Sequence, residues 1–340
     1  MFKVVSTIPS PEEVRNILPL SFNLKKIKAE RDSVLSGIFS GSDRRFLLIV
    51  GPCSADDEIT VCDYVSRLSR VAEKVNDKLF IVPRIYTTKP RTRGQGYMGV
   101  LHNPNPTFNA NIRDGVVAMR RMHVKAAEES GLTAADEMLY PENYAYLDDL
   151  LSYVAVGARS SENQQHRLVA SGISVPVGVK NPISGSLSVL ANSVCAAQSK
   201  GDFQYRGKWV KTSGNEYAHA VLRGSVDDKG NAHPNYGSEY IRRLYELFRE
   251  IKIKNPAVIV DTNHGNSGKN PDLQEKIVND VLSVMKADNL GTFVKGFLIE
   301  SYIEDGCQPI GGGVYGKSIT DPCLGWEKTE RLILSIAEAL

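Results

Sequence analysis

One rhythm constrains the fold of this chain more than any other feature: eight short apolar runs, rich in β-branched residues, alternate with longer segments of helical spacing. The runs are Phe46 to Val50, Leu79 to Ile85, Thr133 to Met138, Tyr153 to Ala158, Val175 to Val179, His219 to Leu222, Ala257 to Val260 and Phe293 to Ile299. The helical segments are Asp56 to Val75, Asn111 to Ser130, Asn143 to Ser152, Ser161 to Ala170, Leu187 to Gln198, Gly237 to Ile253, Asp272 to Lys286 and Leu324 to Ala339. A parallel strand buried on both faces reads as a continuous apolar run, and helices between such strands imply βαβ units. Eight units predict a (β/α)8 TIM barrel, an architecture of about 250 residues. A doubly wound open sheet is the alternative, but no Gly-rich fingerprint follows the first strand.

The chain has 340 residues, so about 90 lie outside such a barrel. Residues 1–45 are assigned to an N-terminal extension with one or two helices, and residues 46–340 to the catalytic barrel. An inserted β-hairpin is placed near 203–212, where Tyr205, Trp209 and Val210 flank Arg206-Gly207. The 41 Lys and Arg nearly balance the 39 Asp and Glu, for a formal charge of +2. That balance argues against nucleic acid and anionic membranes as partners, since both select strongly basic surfaces. No apolar run approaches the ~18 to 20 residues of a membrane span, and Pro9 and Pro11 interrupt any signal-peptide core. Five cysteines do not make a disulfide framework, so a reduced, cytoplasmic protein is expected, in which a special cysteine acts as ligand or nucleophile.

Barrel enzymes carry their chemistry at the C-terminal strand ends. The polar residues there are Cys53, Arg84, Glu137, Arg159, Lys180, Arg223, His264 and Glu300, and Asp321 follows in the last loop. Two chemical sets emerge. Arg84, Arg159, Lys180 and Arg223 are cations aimed at one mouth, an arrangement that calls for an anion among them. Cys53, His264, Glu300 and Asp321 offer a thiolate, an imidazole and two carboxylates, which suit Mn, Fe, Co or Zn rather than Mg or Ca. Each residue alone has an ordinary structural reading; their coincidence at one end of a barrel favours a site. Gly311 to Ser318 satisfies the phosphate-loop pattern, but no strand precedes it and Asp321-Pro322 follows, so a loop at the barrel mouth is expected.

Gly51-Pro52-Cys53-Ser54, Lys89-Pro90-Arg91-Thr92, Gly157-Ala158-Arg159, Val177 to Asn181, Thr212 to Asn215, Leu222-Arg223-Gly224, Asp261 to Ser267 and Tyr315 to Asp321 stand in one order along the chain. That ordered series resembles the type I 3-deoxy-D-arabino-heptulosonate 7-phosphate (DAHP) synthases, from about residue 44 to the end. The resemblance implies condensation of phosphoenolpyruvate (PEP) with erythrose 4-phosphate and water, the first step of the shikimate pathway. It implies a divalent metal on Cys53, His264, Glu300 and Asp321. It places PEP on Arg84, Arg159, Lys180 and Arg223, with the Ala158 amide and Glu137 nearby. Erythrose 4-phosphate would lie on Pro90, Arg91, Thr92 and Asp321. A homodimer or homotetramer is the expected assembly.

The chemistry of the residues agrees. PEP carries a carboxylate and a phosphate, both suited to bidentate Arg. Its C3 is a weak nucleophile, so the aldehyde must be polarised, which a metal Lewis acid does. Lys89 is a candidate proton donor, alongside Lys180, His264 and Cys53 as catalytic candidates, with a purely electrostatic role as the competing reading for Lys89. Three alternatives remain: the sister condensation of PEP with arabinose 5-phosphate (3-deoxy-octulosonate 8-phosphate synthase), a metal-dependent aldol lyase, and a non-catalytic metabolite-binding barrel. In a closed barrel the first and last strands are neighbours, so Cys323, two residues beyond Asp321, is expected beside Cys53. Without metal, Cys53 is expected to be an exposed thiol whose pKa nearby cations lower.

Overall fold

The computed structural model describes residues 1–91 and 94–340. It contains the eight expected strands: β1 (Phe46–Gly51), β2 (Leu79–Pro83), β3 (Ala135–Glu137), β4 (Tyr153–Val156), β5 (Val177–Lys180), β6 (His219–Leu222), β7 (Val258–Asp261) and β8 (Val294–Glu300). All pair in parallel, in the order β2-β1-β8-β7-β6-β5-β4-β3. The seam between β2 and β3 is closed by a single parallel bridge, Arg84 to Ala135, with Ile85 N donating to Ala135 O at 3.0 Å. The result is a nearly closed (β/α)8 barrel.

Strand side chains alternate between two apolar cores. Phe46, Leu48 and Val50 of β1 face outward into the layer shared with the helices. Leu47 and Ile49 face inward, with Phe80, Val82, Ala135, Tyr153, Ala155, Val221, Ile259 and Leu298. Several of the helices that cover the barrel begin with side-chain caps: Asp57 accepts from Thr60 N before Glu58–Lys74, and Ser186 accepts from Val189 N before Leu187–Gln198. Such caps each stabilise a helix by about 1 kcal/mol.

Before β1 come two helices, Pro11–Ile17, opened by a Ser10–Glu13 capping box, and Phe22–Ser40. Leu35, Ile38 and Phe39 of the second belong to the interior cluster, so this helix plugs the N-terminal end of the barrel. The hairpin between β5 and β6 spans Gly201–Tyr205 and Lys208–Thr212. Among the described residues, no helix is long and apolar enough to cross a membrane.

One expected helix is absent. Asn143 to Ser152 folds as a 3-10 turn, Pro141–Tyr146, followed by turns. Its apolar spacing reflects real burial of Leu147, Leu150 and Leu151, but side chains take the carbonyls an α-helix would use. Tyr205 Oη donates to Pro141 O at 2.9 Å, Arg15 Nη2 to Ala145 O at 2.8 Å and Arg120 Nη1 to Tyr146 O at 2.9 Å.

Candidate active site

The inward phase of the strands continues past the apolar layers and becomes polar at the C-terminal end. Two residues beyond Val82, Ala135, Gly178, Val221, Ile259 and Leu298 stand Arg84, Glu137, Lys180, Arg223, Asp261 and Glu300. Period-2 alternation therefore delivers six ionisable side chains to one mouth. Glycine makes the room: a Cβ at Gly157 would come within 2.0 Å of Glu137 Oε1.

At the floor of the mouth, Cys53 Sγ, a Glu300 oxygen and an Asp321 oxygen lie within 4.8 Å of one another. His264 stands at the edge of this group, with Nε2 3.6 Å from Glu300 Oε1. Burial holds its pKa below the ordinary value, against the pull of Asp261 and Glu300. Its Nδ1 lies 3.1 Å from Asp261 Oδ1. A carboxylate only accepts, so the ring hydrogen sits on Nδ1 and the Nε2 lone pair faces Glu300. Glu300 Oε1 is buried and has no hydrogen-bond partner, although Arg84 Nη2 is 2.9 Å away. Two lone-pair-bearing atoms facing each other, beside a thiol and a second carboxylate, fit a divalent cation of the borderline type. The carboxylate behind the histidine is the usual support of such a ligand.

Lys89 enters the same cluster. Its Nζ lies 2.7 Å from Cys53 Sγ and 3.1 Å from Asp321 Oδ2, and Lys269 Nζ holds Asp321 Oδ1 at 2.8 Å. Burial alone would lower the Lys89 pKa, but Cys53 and Asp321 outweigh it and raise it, so the ammonium form persists. Burial works against ionisation of Asp321 too, yet Lys89 and Lys269 hold its carboxyl far below the usual range.

The structure corrects the expectation for Cys53. The side chain is fully buried, and burial, then Glu300, pushes its thiol up to about 11 despite Lys89. Burial therefore favours the neutral thiol over an exposed, acidified one. The expected neighbour is in place: Cys53 N lies 3.4 Å from Cys323 Sγ.

Above the cluster opens a cleft. It is lined by Arg84, Arg159, Lys180 and Arg223, by Glu137, Ala158, Lys89, Pro90, Arg91, His264 and Asp321, and by Lys269. Arg84 donates to Pro52 O at 3.0 Å and Cys53 O at 2.8 Å, and lies over the Tyr86 ring at 3.8 Å. Lys180 Nζ is 3.4 Å from Asp261 Oδ2. One guanidinium nitrogen each of Arg84 and Arg223, Nη1, is buried without a hydrogen-bond partner. Buried donors in that state are ready for an anionic ligand.

The structure thus brings every described candidate to one end of the barrel. Thr92 lies outside the described residues. Two participants are missing from the strand-end reading. Asp261 is the first ionisable residue after Val260 and shares the inward phase, so its signal was available. Lys269 sits in the turn after His264–Ser267 with φ +65°, and no periodicity marks it.

Fold and cleft together define a barrel enzyme built to hold an anionic substrate beside a thiol–carboxylate–imidazole cluster. Residues 23–333 match the model of the DAHP synthetase I family. The chain is 34% identical to the Tyr-sensitive phospho-2-dehydro-3-deoxyheptonate aldolase of Salmonella typhimurium, over 97% of this chain and 92% of that one. It is also 34% identical to the Phe-sensitive enzyme of that name from Escherichia coli K12, over 99% and 96%. The phospho-2-dehydro-3-deoxyheptonate aldolase structure from Francisella tularensis matches with a TM-score of 0.92 at 29% identity, covering 100% of this chain and 98% of that one. The chain belongs to the DAHP synthetase I family. Its activity is that of a DAHP synthase, a transferase of the first step of aromatic biosynthesis.

Proposed function

We propose that the cleft condenses PEP with erythrose 4-phosphate, with Arg84, Arg159, Lys180 and Arg223 holding the carboxylate and phosphate of PEP. Glu137 and the Ala158 amide border that half; Pro90, Arg91, Thr92 and Asp321 serve the aldose phosphate. The observation that carries this reading is the pair of buried, unpartnered guanidinium nitrogens of Arg84 and Arg223 in a cleft that also contains Lys89 and Asp321. Cys53, His264, Glu300 and Asp321 would hold a divalent metal of the Mn, Fe, Co or Zn group. Such an ion supplies Lewis-acid polarisation of the aldehyde.

In the condensation, PEP C3 forms a bond to the aldehyde carbon, and the aldehyde oxygen takes a proton. Lys89, an ammonium held between Cys53 and Asp321, is placed to donate it. Water adds at C2 and gives one proton back to the Lys89 amine; the bond from C2 to the bridging phosphate oxygen then breaks, and inorganic phosphate leaves with the C2 hydroxyl proton as the keto group forms. The cations that fixed PEP stabilise the departing phosphate. A cytoplasmic location suits phosphorylated substrates and a buried thiol that must stay reduced. A homodimer or homotetramer is the proposed assembly, and the exposed Phe2, Val4 and Val5 side chains offer apolar surface for it.

The test is PEP consumption by purified protein with each aldose phosphate, with and without a chelator. The expected outcome is turnover with erythrose 4-phosphate, little with arabinose 5-phosphate, and loss on chelation that Mn, Fe or Co reverses. Preference for arabinose 5-phosphate would assign the sister condensation instead.

A further inference from the structure

β3 ends in two adjacent carboxylates that point opposite ways. Glu137 lines the cleft, whereas Asp136 points outward and is only 4% exposed. Four donors fill its lone-pair positions. Thr87 N and Glu137 N reach Oδ1 at 3.0 and 2.7 Å; Thr87 Oγ1 and His123 Nε2 reach Oδ2 at 2.5 and 3.2 Å. A carboxylate so saturated has no lone pair left for a substrate. Its role has to be in what it holds.

What it holds is the start of the segment that carries Lys89 and Arg91. Thr87 is fully buried, and beyond it Thr88 Oγ1 donates to Glu137 O at 3.1 Å and Lys89 N to Met98 O at 3.0 Å. This is also the β2–β3 seam, where the strand ladder is reduced to one bridge. The bonds of Asp136 therefore take over where the ladder stops. His123, on the helix Ile112–Ser130, completes the clamp from the outer layer.

We propose that Asp136, braced by His123 and acting through Thr87, is a positioning residue for the aldose-phosphate half of the site. It fixes the backbone from which Lys89 reaches Cys53 and Asp321 and from which Arg91 enters the cleft. The inference rests on the assignment of Lys89 and Arg91 to erythrose 4-phosphate. Displacing a catalytic group by about 1 Å can cost on the order of a hundredfold in rate.

The test compares Thr87→Val, which keeps the shape and removes the hydroxyl donor, with Thr87→Ser, which keeps the donor. Thr87→Val should raise the KM for erythrose 4-phosphate about tenfold and lower kcat, the loss of one charge-assisted hydrogen bond. Its KM for PEP should stay near wild type, and Thr87→Ser should restore both parameters. Asp136→Asn should move them in the same direction; if it does not fold, the Thr87 pair decides. A role in stability alone would lower the melting temperature and leave the ratio of the two KM values unchanged. Folded Thr87→Val with an unchanged erythrose 4-phosphate KM overturns the inference, as does an equal rise in both KM values. Arg91→Ala, run in parallel, separates the failures. If Arg91→Ala weakens erythrose 4-phosphate and Thr87→Val is silent, only the positioning role falls. If Arg91→Ala itself is silent, the substrate assignment falls and this inference with it.

Discussion

The two ends of the barrel use the same strands in the same inward phase, and they finish in opposite states. At the N-terminal end, Phe39 stacks on the ring of His219 at 4.2 Å. His219 Nδ1 donates to Tyr217 O at 2.9 Å and its Nε2 accepts from Tyr153 Oη at 2.9 Å, so both polar side chains are satisfied. At the C-terminal end, Arg84 Nη1 and Arg223 Nη1 are buried without a hydrogen-bond partner. Each such atom costs about 1 to 3 kcal/mol. The plugged end is packed and its polar groups are paired, so it contributes to stability. The open end keeps buried donors aimed into the cleft at a cost in stability, and the same strands carry both ends.

The contrast can be broken most severely at the metal-type cluster. Cys53→Ser and His264→Ala should lose bound metal and rate together, by roughly a thousandfold for several kcal/mol of missing Lewis-acid stabilisation. Metal analysis alongside PEP consumption checks this, and full activity in metal-free protein would remove the metal assignment. Phe39→Ala should do the converse at the other end. It is expected to cost about 3 to 5 kcal/mol of stability in denaturant unfolding while the rate per folded molecule stays near wild type. A large fall in that rate would mean the two ends are coupled.

Within the cleft the effects become smaller and more selective. Arg159→Ala should weaken PEP, and Arg91→Ala erythrose 4-phosphate, each by roughly 1.5 to 3 kcal/mol, or about ten- to a hundredfold. If both variants raise the same KM, the division of the cations is wrong. The smallest effect is in acid. Burial lowers the His219 pKa to about 3, against the opposing bond to Tyr217 O. The unfolded chain titrates near 6.5, so it takes up the proton first and stability falls as pH drops below about 6.5. The expected slope from this group is up to about 1.4 kcal/mol per pH unit. Urea unfolding of wild type and His219→Gln from about pH 7 to pH 5 reads it, and identical slopes would exclude His219 as the source.

Much of the site is legible in the chain because strand alternation is a local rule. Arg84, Glu137, Lys180, Arg223 and Glu300 can each be placed by stepping two residues beyond an inward apolar or glycine position. Asp261 obeys the same rule and is overlooked only because His264, a more familiar ligand, stands three residues on. The segment after β3 misleads for a different reason. Its buried leucines imitate helical spacing, while Arg15, Arg120 and Tyr205, all distant in sequence, take its carbonyls.

The number and order of strands, the inward phase and the inventory of charges at the mouth can be read along the chain, since each follows from patterns spanning a few residues. How the loops meet is a matter of three-dimensional packing. It set Lys89 between Cys53 and Asp321, kept His264 at the rim of the three-residue cluster, buried the Cys53 thiol and ran the seam of the barrel past Asp136. These depend on closure, which brings residue 53 beside residues 321 and 323. No local periodicity encodes a distance between loops so far apart along the chain; the packing of the whole barrel sets it.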